Sequence, residues 1–124
     1  MSEKFNIVSR LKSFKYAFNG LRYNILTQHN FQIHLVFTAV AIAIGFWLQI
    51  STLEWVAIII VISLVLSAEV INTAIEELVN LVSPEKNKQA GLIKDLAAGA
   101  VLILAIVALI TGLLIFIPKI IELL

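Results

Sequence analysis

Apolar positions first recur at helical spacing near the amino end and then gather into long runs. Over KFNIVSRLKSFKYAFNGLRYNIL, Ile7, Val8, Leu11, Phe14, Phe18, Leu21 and Ile25 share one helical stripe, with Arg10, Lys12, Lys15 and Arg22 around the other faces. That pattern predicts an amphipathic helix lying in a membrane surface within residues 1–30. A signal peptide would instead carry an uninterrupted apolar core followed by a small-residue cleavage site. Three apolar runs follow. Ile33 to Ile50 is broken only by His34, Thr38 and Gln49, and at about 1.5 Å per residue it nearly matches a hydrocarbon core about 30 Å thick. The second run continues from Leu53 to Val82 with neither Gly nor Pro. It predicts a helix longer than the bilayer needs, its last turns emerging into water. The third, Leu96 to Ile117, is expected to close at Pro118. Trp47 and Trp55 flank the QISTLE turn as an aromatic belt would.

Composition agrees with three spans. The 124 residues are 60% hydrophobic and 14% charged, and the mean hydropathy is +1.01, far from the soluble globular range. The expected fold is an all-α membrane protein in one domain, 1–124, with a surface helix and transmembrane helices over 33–50, 53–82 and 96–117. With no Cys, neither disulfides nor thiolate metal sites are available. Lys and Arg are distributed unevenly: five in the first thirty residues, Lys86, Lys88 and Lys94 between the second and third runs, none from Ser51 to Glu54, and only Lys119 near the end. This bias predicts a multi-pass protein of the cell inner membrane, its N-terminus and second loop cytoplasmic and its C-terminus outside.

The candidate chemistry lies at the cytoplasmic end of the second run, in SAEVINTAIEELVN. At 100° per residue, Glu69, Asn72, Thr73, Glu76 and Asn80 fall along one stripe, with Glu77 at its margin. An ionised carboxylate facing lipid at Glu69 costs a few kcal/mol on the order of translocon scales, so Glu69 is expected to face a protein interior or wet cavity. A partly desolvated carboxylate is suited to taking a proton from a hydroxyl. Glu76 suits a hard cation, because Mg2+ prefers one or two carboxylate oxygens together with substrate phosphates. The segment SPEKNKQAGLIKDLAAG adds Glu85, Asn87, Lys94 and Asp95 at the same level. Lys94 can neutralise phosphate charge, and Asp95 can orient a ribose, a base or a cation. Neither G-x-x-x-x-G-K-[ST] nor G-x-G-x-x-G occurs.

The motifs EVINTAIE (Glu69 to Glu76), SPE (Ser83 to Glu85) and KDLAAGAVL (Lys94 to Leu102), preceded by FKYAFNGLRY and NFQIHL, resemble the small prokaryotic diacylglycerol kinase and undecaprenol kinase family over nearly the whole chain. The resemblance implies an ATP-dependent lipid kinase working as a homotrimeric bundle, with sites at subunit boundaries near the cytoplasmic surface. By position, Glu69 becomes the general base toward the lipid hydroxyl. Glu76 and Gln28 become the Mg2+ ligands. Asn72, Glu76, Lys94 and Asp95 meet the nucleotide, helped by Lys12, Tyr16, Glu85, Lys86 and Asn87. The lipid-contacting set becomes Phe14, Arg22, Asn30, Phe31, His34, Trp47, Trp55 and Ala98. Phosphoryl transfer demands mainly positioning and charge neutralisation, so such a sparse set suffices.

Two positions depart from the family pattern. Gln28 stands where a glutamate is usual, supplying an oxygen without charge, and Asn80 stands where an aspartate is usual. Lower metal affinity is expected from the first, and a weakened or catalytically silent protein is the corresponding alternative. A small cation-coupled transporter could also use Glu69 as a protonation switch, but no acidic group in the outer half of the first or third run continues a pathway. Plainer roles exist for several residues: Lys94 as an interfacial anchor, Asp95 as a helix cap, His34 as an interface or intersubunit hydrogen-bond partner, and Gly99 and Gly112 as points of close helix approach. The acceptor lipid is not encoded legibly. Diacylglycerol and undecaprenol both fit, with NFQIHL and SPE leaning to the polyprenol.

Overall fold

The computed structural model describes residues 4–124. They form α1 (Ile7–Thr27), α2 (His29–Trp47), α3 (Thr52–Val82) and α4 (Lys88–Leu123). α2, α3 and α4 are each long and apolar enough to cross a membrane.

Local chemistry sets the ends of each helix. The Asn6 side chain accepts from the Val8 amide at 2.9 Å and starts α1. Gln28 alone separates α1 from α2, in extended backbone at φ −103° and ψ 109°. The polar run TQHN therefore belongs to a joint between two helices. The expected gap before Ile33 is absent, because the apolar pattern starts a turn later than the hydrogen bonding does. α2 stops at Trp47, short of Ile50, through a Schellman arrangement: the Gln49 amide donates to Phe46 O at 3.3 Å and the Ile50 amide to Gly45 O at 3.2 Å. Gln49 occupies the left-handed region at φ 52°, where glycine is usual.

Ser51 and Glu54 form a reciprocal capping box that starts α3. Glu54 Oε1 also lies 3.2 Å from Lys119 Nζ. This pair ties the last turns of α4 to the first turn of α3 and fixes the two as antiparallel neighbours, the most extensively packed pair in the chain. At the other end, Asn87 caps α4 by accepting from the Ala90 amide at 2.8 Å. Asn87 also donates to Ser83 Oγ at 2.7 Å, closing the short loop.

Several expectations change here. α4 begins at Lys88, two turns before the apolar run, so Asp95 lies inside the helix and is not its cap. Pro118 lies inside α4 and does not close it. Proline removes one amide donor and fixes a φ that a helix accepts, and the Lys119–Glu54 contact holds the turn that follows. Trp55 is half-buried over Gly45 and meets Phe46 at a ring separation of 4.9 Å. Of the two tryptophans, Trp47 is the exposed one. Gly99 has no atom of another helix within 4 Å of a Cβ placed on it, and Gly112 meets only Phe116 of its own helix. Neither glycine marks a close approach within one chain.

The core is thin. Ile58 and Val65 on α3 are buried, and the same face continues into Glu69, Asn72, Thr73 and Val79. The buried stripe of α3 thus changes from apolar to polar as it nears the α3–α4 loop.

Candidate functional site

Glu69 is 4% exposed and Thr73 5%, an unusual depth for polar side chains on a helix this apolar. Thr73 turns its hydroxyl to the Glu69 carbonyl at 3.0 Å. Glu69 Oε1 lies 3.2 Å from His34 Nε2 on α2. Asn72 Nδ2 donates to Glu76 Oε1 at 3.2 Å, while Asn72 Oδ1 is buried with no hydrogen-bond partner.

These residues open onto a cleft of about 290 Å³ lined by Thr27, Gln28, His29 and Asn30 from the α1–α2 joint and by Glu69, Asn72 and Glu76 from α3. Gln28 reaches it because its extended backbone interrupts the helices there. Its Nε2 donates to Thr27 Oγ1 at 3.1 Å. The joint is braced by Gln32, which donates to Ile25 O at 2.8 Å, and by Tyr23, which donates to Glu77 Oε1 at 3.0 Å. The Glu77 carboxylate, through that hydrogen bond and its charge, holds the Tyr23 phenol above its ordinary pKa.

The cleft suits Mg2+ on its own chemistry. Its lining offers hard oxygens: the Glu76 carboxylate, the Gln28 amide and the orphaned Asn72 Oδ1, which a cation would satisfy. Among the described residues no three His, Cys, Asp or Glu side chains gather into a metal cage. The set therefore fits an ion that takes its remaining ligands from phosphates and water.

A second open cavity, also about 290 Å³, lies between the α3 end and the start of α4, lined by Asn80, Ser83, Pro84, Glu85, Lys86, Asn87, Ala90, Gly91 and Lys94. Lys94 Nζ donates to Asn80 Oδ1 at 2.7 Å. An amide partner orients the ammonium without neutralising it.

The predicted residues therefore divide. Gln28, Asn30, Glu69, Asn72 and Glu76 meet in the first cleft, with His34 joined through Glu69. Glu85, Lys86, Asn87 and Lys94 meet in the second. Asp95, Lys12, Tyr16, Phe14, Arg22 and Ala98 are exposed and line neither cavity, and Phe31 is buried. Trp47 and Trp55 lie by the α2–α3 turn; Glu69 follows Trp55 by fourteen helical steps of α3, about 21 Å at helical rise. Sequence reasoning missed Thr27 and His29, whose signal was their place beside Gln28 in a polar run between apolar helices. It also missed Asn24, a 2% exposed side chain on an otherwise exposed helix.

Comparison with known proteins gives the family. The family described as Prokaryotic diacylglycerol kinase matches residues 15–116. The chain belongs to that family. Over 108 residues it is 40% identical to the undecaprenol kinase of Bacillus subtilis, covering 87% of this chain and 88% of that one. It is 39% identical over 115 residues to a diacylglycerol kinase of Synechocystis, covering 91% of this chain and 65% of that one. Against the Escherichia coli K12 diacylglycerol kinase it is 34% identical over 101 residues, or 82% and 83% of the two chains. The expected enzyme class, a lipid kinase, stands on this membership, and the transporter alternative gives way to it.

Proposed function

We propose that this protein transfers the γ-phosphoryl group of ATP to the hydroxyl of a membrane lipid alcohol at the cytoplasmic face, with Glu69 as general base. The observation that carries this reading is a carboxylate 4% exposed, in a lipid-kinase chain, opening onto a cleft that it shares with Asn72 and Glu76. A hydroxyl entering from the bilayer meets Glu69 first. Removing its proton there sharpens the attacking oxygen without exposing the reaction to bulk water.

Glu76, Gln28 and Asn72 Oδ1 would hold Mg2+, which would supply charge neutralisation for the nucleotide phosphates. Lys94, oriented by Asn80, meets the polyphosphate, with Glu85, Lys86, Asn87 and Asp95 around the rest of the nucleotide. Lys12 and Tyr16, exposed on α1, are the further nucleotide contacts of this reading. Phe14, Arg22, Asn30 and Ala98 remain the lipid contacts, whereas Phe31, 4% exposed, packs in the core and supports the joint from within. Trp47 and Trp55 lie too far along the helices to touch a hydroxyl at Glu69, and serve only a long tail.

The division of one chain's residues between two clefts supports a homotrimer in which neighbouring copies complete each site. So does the broad apolar surface of α4, where Leu102, Ile103, Leu109 and Leu114 are exposed. The exposed apolar stripe of α1, with Lys12, Lys15 and Arg22 beside it, supports a helix lying in the cytoplasmic surface. Undecaprenol is the first acceptor to test, because the B. subtilis relative of that name matches along most of both chains. The test is transfer of labelled γ-phosphate from ATP to undecaprenol and to diacylglycerol in mixed micelles. Label in either lipid supports the reading, the stronger signal names the acceptor, and label in neither overturns it.

A further inference from the structure

The contact between His34 and Glu69 carries an inference beyond the roles given so far. It rests on the reading of Glu69 as base. His34 projects from α2 and Glu69 from α3, and Nε2 to Oε1 measures 3.2 Å. Among the described residues this is the one side-chain polar contact that joins these two helices. The His34 side chain is 24% exposed and that of Glu69 5%. The histidine is the more exposed partner, and it reaches the cleft through Glu69 without lining it.

We propose that His34 is a positioning residue for the base: its Nε2–H fixes Glu69 Oε1 and leaves Oε2 as the oxygen that receives the lipid proton. Burial explains why such a group is needed. A carboxylate removed from water and left unpartnered turns freely about its terminal torsion and bears the full desolvation cost. One donor on Oε1 removes both problems. Within its own helix, Glu69 receives no competing side-chain donor, since Thr73 bonds its backbone carbonyl and Asn72 bonds Glu76. His34 itself is held on a regular stretch of α2, whose Thr38 hydroxyl bonds the His34 carbonyl at 2.7 Å. The donor is thus presented from a second rigid helix, and the angle of the carboxylate depends on how α2 packs against α3.

The role is separable from simple packing. His34→Gln retains an amide N–H close to the position of Nε2, whereas His34→Met keeps the bulk and loses the donor. Both are compared with Glu69→Gln and with the His34→Met/Glu69→Gln double variant, with rates expressed per mole of protein that binds Mg-ATP so that misfolded material does not enter. His34→Met is expected to lower kcat by about tenfold to a hundredfold with KM for ATP and lipid within twofold, because the loss falls on the transition state. His34→Gln restores most of kcat, and His34→Met adds no further loss to Glu69→Gln. Equal kcat for His34→Met and the parent would overturn the inference while leaving Glu69 as base, provided Glu69→Gln is inactive. Equal losses in the Met and Gln variants would reduce His34 to a packing residue. Full activity of Glu69→Gln would remove the base itself, a separate failure.

Discussion

Gln28 is the residue whose chemistry differs most from what a metal-assisted kinase would choose. It lines the first cleft together with Glu76 and brings an oxygen without a charge. Gln28→Glu is expected to tighten Mg-ATP binding by about tenfold, the size of one added charge near an ion in a partly wet site; equilibrium binding across a Mg2+ titration reads this directly, and unchanged affinity would remove Gln28 from the metal site. At the far end of the molecule, a Cβ on Gly45 would lie 2.7 Å from Trp55 Cη2. Gly45→Ala should therefore cost about 1–3 kcal/mol through overpacking, read as a lower unfolding temperature in detergent with phosphorylation per folded molecule unchanged. The polar stripe on α3 was legible because helical periodicity places Glu69, Asn72, Thr73 and Glu76 on one side. His34 as the partner of Glu69 was not, since the 34 positions between them say nothing about how α2 packs on α3.

The helices themselves were largely readable from apolar runs, and their ends were not. A run marks where lipid begins, whereas a helix begins where a cap satisfies its first amides, as Asn87 does a full two turns ahead of Leu96. Pro118 likewise stopped the pattern and not the helix, since the loss of one hydrogen bond near a terminus is small and Lys119 reaches Glu54. Lys119→Ala should change overall stability little, as for an exposed ion pair, and should increase amide hydrogen exchange after Pro118. At the α1–α2 joint, Tyr23→Phe removes the bond to Glu77 and should raise hydrogen exchange over the last turn of α1. The bond is present when the phenol is protonated, and its pKa is raised in the folded protein. Its contribution is therefore complete below the ordinary phenol range, neutral pH included, and fades as pH rises through the raised value. Faster exchange in the parent on acidification, with Tyr23→Phe unaffected, would contradict that sign.

Over the whole molecule, a thin core sits beneath a long apolar surface carried by three helices long enough to cross a membrane. Composition showed the membrane setting at once. The division of the site between two clefts was invisible, because motif spacing along a chain does not tell which residues one copy brings together and which require a neighbour. The proposed trimer predicts a particle of three chains by native mass spectrometry. It also predicts that mixing Glu69→Gln with Lys94→Ala subunits regains activity that neither pure variant has, whereas a strictly additive mixture would place each site within one chain. The central claim is that the buried carboxylate at Glu69 performs proton removal and does not merely hold the nucleotide. The most direct measurement pairs Mg-ATP affinity with lipid phosphorylation in Glu69→Gln. Affinity within about twofold of the parent, with turnover lower by about a hundredfold to ten-thousandfold, is the predicted result for loss of a general base. Turnover that persists at the parental rate would contradict it.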